Sequence, residues 1–79
     1  MNQNKSFQSL QRFVESNDQQ LRFTSNHGGW GRIYIGKQFV EFRNNNQRAD
    51  KLKSKASTAR EHTHLGCALN ELAKNFNLI

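Results

Sequence analysis

The chain of 79 residues contains a single cysteine, no proline, one tryptophan, one tyrosine and few acidic side chains. With Cys67 alone, no internal disulfide can form and no Cys-x-x-Cys pair is available for zinc, which excludes a disulfide scaffold and the common zinc modules. No run of about 18 apolar residues occurs, so a transmembrane helix is excluded, and Met1 to Gln11 lacks the apolar centre of a secretory signal. The expectation is a soluble, cytoplasmic chain with no membrane partner. Leu, Ile, Val and Phe together supply 18 residues, just above the roughly 20 % below which chains tend to stay disordered. A chain this short buries only about 60 % of its unfolded surface, which allows one thin core and one domain.

Positive charge, by contrast, is plentiful. Twelve Lys and Arg against six Asp and Glu give a net charge of +6 and an isoelectric point near 10.1. Such a balance points to an acidic partner, with nucleic acid ahead of a membrane surface.

Phe7, Leu10, Phe13 and Val14 fall on one stripe of a helix of about three turns, with Ser6 as its expected N-cap and Asn17-Asp18 as its end. From Gln20 the pattern alternates, Leu21 and Phe23 against Arg22 and Thr24, which predicts a first strand. Ser25 to Gly29 is a turn cluster, and Trp30 to Ile35 reads as a second strand. Gly36-Lys37 then suits a two-residue hairpin turn, so that Gln38 to Arg43 folds back as a third strand. Residues 44–57 have almost no apolar content beyond Leu52 and two alanines, and read as a basic polar loop or insertion. Counting on to Arg60, this stretch holds five cations and the single acid Asp50. Thr58 with Glu61 fits a capping box, opening a last helix with the apolar stripe Leu65, Ala68, Leu69, Leu72, Ala73 and Phe76. The fold class is therefore α+β: helix, three-stranded antiparallel sheet, helix, with the helices packed on one sheet face.

With Gly36 and Lys37 at the turn, Tyr34 faces Phe39, Ile33 faces Val40 and Arg32 faces Glu41. One sheet face then carries Ile33, Ile35, Val40 and Phe42 and suits the helices. The other carries Trp30, Arg32, Tyr34, Phe39, Glu41 and Arg43. Aromatic rings mixed with guanidinium groups are what single-stranded nucleic acid stacks and pairs on. The same residues also make ordinary cross-strand pairs that stabilise a sheet. A register slip of one residue would exchange the two faces.

The three histidines are His27, His62 and His64. His62 and His64 point about 200° apart on a helix, so His62-x-His64-x-x-Cys67 is not a metal site, and Cys67 is placed as a helix residue near the core. His27 sits at the tip between the first two strands, where an exposed imidazole can transfer a proton. No cofactor is called for.

The order helix, three antiparallel strands, helix resembles that of the double-stranded RNA-binding domain over nearly the whole chain. Lys53-Ser54-Lys55-Ala56 echoes the lysine-bearing opening of that family's last helix. The HicA-type toxins share this fold, and His27-Gly28-Gly29-Trp30 is similar to their histidine placed after a small-residue turn and three residues before an aromatic. That resemblance implies His27 as a base acting on a ribose 2′-hydroxyl, in a metal-independent ribonuclease.

The leading expectation is a small basic domain binding nucleic acid, RNA ahead of DNA, with no reaction required. Its expected contacts are Trp30, Arg32, Tyr34, Lys37, Arg43, Arg48, Lys51, Lys53, Lys55 and Arg60. The alternatives are the HicA-like toxin using His27, and a small phage-type or mobile-element inhibitor that docks on a host protein or nucleoprotein complex.

Overall fold

A computed structural model describes residues 3–26 and 28–79. The chain runs α1 (Lys5–Ser16), β1 (Leu21–Ser25), β2 (Trp30–Ile35), β3 (Gln38–Arg43), α2 (Ala49–Ala56) and α3 (His64–Asn75). This is the expected α+β order with one addition, the helix α2 between the sheet and the last helix.

The sheet is antiparallel in the order β1-β2-β3. Its register follows from the Gly36-Lys37 turn, where Gly36 takes φ +60°, a conformation open to glycine without steric cost. Ile33 pairs with Val40, Tyr34 with Phe39 and Arg32 with Glu41. With a side-chain period of two, one face then collects Leu21, Phe23, Ile33, Ile35, Val40 and Phe42, all buried. Gly31 lies on the same face opposite Phe42, and a Cβ there would stand 2.8 Å from the Phe42 ring. The missing side chain makes room for the phenyl group.

All three helices pack on this buried face. Phe7, Leu10 and Val14 of α1, Leu52 and Ala56 of α2, and Ala68, Leu69, Leu72 and Ala73 of α3 join the strand residues in one core. Phe13 and Phe76 meet at the rim with ring centroids 4.7 Å apart. Among the described residues, every buried side-chain nitrogen and oxygen has a hydrogen-bond partner, and no helix is long and apolar enough to cross a membrane.

Four local expectations are corrected. The N-cap of α1 is Asn4, not Ser6: its side chain accepts from the Phe7 N–H at 3.0 Å. Asn4 is itself held by the far connection, donating to the Ala59 carbonyl at 2.8 Å. Ser6 lies inside the helix, buried, and its hydroxyl donates to the side-chain Oδ1 of Asn70.

Residues 44–57 are not simply a loop, because Ala49–Ala56 is helical. Ala49, Leu52 and Ala56 stand at i, i+3 and i+7, and that narrow stripe reaches the core. Asp50 near the N-terminus of α2 and Lys53 and Lys55 in its last turn suit the helix dipole. Asn44 closes the preceding turn by donating to the Gln47 carbonyl and accepting from the Gln47 N–H.

The last helix begins at His64, not Thr58, with Thr63 as N-cap accepting from the Gly66 N–H at 3.1 Å. Gly66 allows this. A Cβ there would come within 1.7 Å of the Arg60 carbonyl oxygen, so the connection lies directly on the first turn of α3. Cys67 is exposed on that helix rather than near the core, its thiol facing the Glu61 carbonyl at 3.4 Å.

Candidate nucleic-acid interface

The sheet face turned away from the helices carries Arg22 and Thr24 on β1, Trp30, Arg32 and Tyr34 on β2, and Phe39, Glu41 and Arg43 on β3. Strand alternation puts them there, since each neighbours a residue committed to the core. Trp30 is 38 % and Phe39 45 % exposed, large values for rings held in a sheet. Tyr34 and Phe39 sit side by side with centroids 5.3 Å apart.

Each ring has a guanidinium over it. Arg22 lies 4.6 Å from the Tyr34 centroid, Arg32 4.5 Å from Phe39 and Arg43 5.1 Å from Trp30. Such pairs contribute only about 0.5–1 kcal/mol each at exposed sites, but they keep the three cations beside the rings. Arg32 is further tied by a hydrogen bond to the Tyr34 hydroxyl at 3.1 Å and an ion pair with Glu41 at 2.9 Å. The bond to Tyr34 first, then that to Glu41, favours the charged guanidinium and raises Arg32 above its ordinary range.

Compared with protein-family models, curated proteins and solved structures, the chain matches none.

The expected contact residues divide into three groups. Trp30, Arg32, Tyr34 and Arg43 come together on the sheet face, and Lys37 stands exposed at the hairpin tip beside them. Arg48 precedes α2 and shares a shallow depression with Ser25, Asn26 and Asn46, at the β1–β2 end of the sheet. Lys51, Lys53 and Lys55 are carried by α2 in the helical layer. Lys51 and Lys55, four residues apart, share one flank, and Lys53 points about 200° away from each. Only Lys55 meets Arg60, across a cleft between α2, the end of β3 and the start of α3. Arg43 also lines that cleft, so the sheet face and the Lys55–Arg60 pair meet at the end of β3, whereas Lys51 and Lys53 lie apart from both.

His27 lies outside the described residues. The Asn26 side-chain oxygen accepts from the N–H groups of Gly28 at 3.0 Å and Trp30 at 3.3 Å.

Arg22 and Phe39 are members of this surface that the expected contact set omits. The alternation Leu21, Arg22, Phe23 places Arg22 opposite the core, but its pairing with Tyr34 depends on the β1–β2 register. That register is set across a turn of four residues whose geometry the sequence pattern leaves open.

Proposed function

We propose that the uncovered sheet face binds single-stranded nucleic acid, with unpaired RNA segments ahead of DNA. The observation that carries this reading is the set of three guanidinium–ring pairs on a face that no helix covers. A three-strand surface is about 10 Å across, and three rings spread over it suit a stretch of about three nucleotides. Bases stack on the rings, and the arginines, already aligned beside them, turn toward the phosphates. RNA is placed ahead of DNA because loops, bulges and ends of RNA present the unstacked bases that such platforms take up. Lys37 and Arg48, at opposite ends of the platform, extend the positive path for the backbone.

The test is a salt titration of fluorescence anisotropy with short single-stranded RNA, single-stranded DNA and their duplexes. With three or four phosphates neutralised on a single strand, log K should fall with log salt by a slope of about −2 to −3. Single strands should bind more tightly than duplexes, whose bases cannot reach the rings. Absence of binding at low salt, or tighter binding of the duplex, would end this reading.

A further inference from the structure

The cleft between the end of β3, α2 and the 57–63 connection is a second concave surface, of about 680 Å³. That volume lies in the range of small-molecule sites, roughly 300–1,000 Å³. Its lining includes Arg43, Lys55, Arg60, His62 and His64 and no Asp or Glu. The one carboxylate on the neighbouring strand, Glu41, is engaged by Arg32 on the other side of the sheet. Lys55 and Arg60 make no ion pair among the described residues. Imidazole rings keep at least one N–H donor in either charge state, so His62 and His64 add donors to the same rim.

The floor is of a different character. Leu65 and Ala59 are half-buried there, and the buried Phe42 and Leu52 line the same cleft. The buried polar residue of the lining, Asn44, already has its side-chain amide bonded to Gln47. An apolar floor beneath a cationic, carboxylate-free rim matches a ligand with one flat, weakly polar part and one anionic part. The geometry points to a nucleotide site: the base rests on Leu65 and Ala59, and the phosphate is held by Lys55 and Arg60 with the two histidines beside it. This site goes beyond the strand-binding reading of the sheet face, and adjoins it at Arg43.

The full chain is titrated with adenosine 5′-monophosphate, adenosine and inorganic phosphate, each followed by two-dimensional amide NMR. The monophosphate should shift signals of residues 42–45 and 58–65, and bind about tenfold or more tightly than either fragment. The exposed double substitution Lys55→Gln with Arg60→Gln should weaken it by about tenfold or more, and the same spectra report whether the fold is retained. Phe39→Ala should leave monophosphate binding unchanged, which separates failure of this site from failure of the sheet face. No shifts at millimolar monophosphate, shifts confined to the strands, inorganic phosphate binding as tightly as the nucleotide, or a folded double variant with unchanged affinity would each overturn the proposal.

Discussion

The two positive surfaces of this chain hold their charge in opposite ways. On the sheet, Arg22, Arg32 and Arg43 each lie over a ring that a strand position fixes. On the helical side, Lys51, Lys53, Lys55 and Arg60 project from α2 and its following connection without a ring or a carboxylate partner among the described residues. A guanidinium is planar and stacks, whereas an ammonium is a compact, strongly hydrated point on a flexible stem, and immobilising either side chain opposes up to about 2 kcal/mol of rotamer entropy. The sheet has met part of that cost on folding. The helical side meets it only on binding, so equal numbers of charges do not make equal sites. Concavity partly compensates at Lys55 and Arg60, which line one cleft from two different segments.

Both surfaces depend on the core, and the largest effect should come from removing its centre. Leu69 is fully buried in α3, the helix that supports β3 on one side and shapes the cleft on the other. Leu69→Ala should cost about 2–5 kcal/mol of stability, lowering the denaturant midpoint and weakening both binding activities together. A variant that melts with the parent would mean that α3 does not join the two surfaces.

Gly66→Ala separates them. The added methyl group meets main chain at Arg60, not a flexible side chain, so the connection must shift. Overpacking of this kind costs about 1–3 kcal/mol, while alanine's higher helix propensity offsets up to about 1 kcal/mol. The expected outcome is a modest net loss of stability, altered amide signals over residues 58–65 and weakened nucleotide binding, with single-strand affinity retained. Unchanged signals at 58–65 would show that the first turn of α3 is not in contact with the connection.

The same contrast explains what was legible in the sequence. The sheet face could be read residue by residue because Gly36-Lys37 sets the register and a period of two does the rest. The face assignment of Trp30, Arg32, Tyr34, Phe39, Glu41 and Arg43 follows from that one turn. The helical side offers weaker signals. The stripe of α2 is two alanines and one leucine, and alanine does not stand out as a core residue until a neighbour closes over it. Thr58 with Glu61 satisfies the local pattern of a cap, but the choice of Thr63 rests on the long-range fit of Gly66 against Arg60. Asn4 prevails over Ser6 for a similar reason, since its amide also bonds Ala59, 55 residues away. Local periodicity reveals the platform, and only tertiary contact reveals the cleft.

Phe39→Ala sharpens the comparison from the sheet side. The ring is the most exposed of the aromatics there, so its removal should change stability by no more than a cross-strand pair contributes, about 0.2–1 kcal/mol. Loss of a stacking platform should lower single-strand affinity by about 1–3 kcal/mol, read by anisotropy at fixed salt. A folded variant that binds normally would reduce Phe39 to a sheet-stabilising residue and move the platform to Trp30 and Tyr34.

The smallest effect is expected from the lysines that lie outside both the sheet face and the cleft. Lys51 and Lys53 point to different flanks of α2, both exposed, and Lys53 lines neither the cleft nor the depression near Asn46. Replacing both with Gln removes two charges from the helical layer while leaving the helix stripe of Ala49, Leu52 and Ala56 in place. If the footprint is the sheet, single-strand affinity should fall only through the weaker long-range field, which is screened beyond about 8 Å at physiological salt. The slope of log K against log salt should stay within a few tenths of the parent value, because no phosphate contact is lost. If instead the strand wraps from the sheet onto α2, each lysine released from a phosphate should flatten that slope by about 0.7. A flattening of about 1.4 would join the two positive surfaces into one continuous track, and the distinction between fixed arginines and free lysines would then describe two ends of a single site.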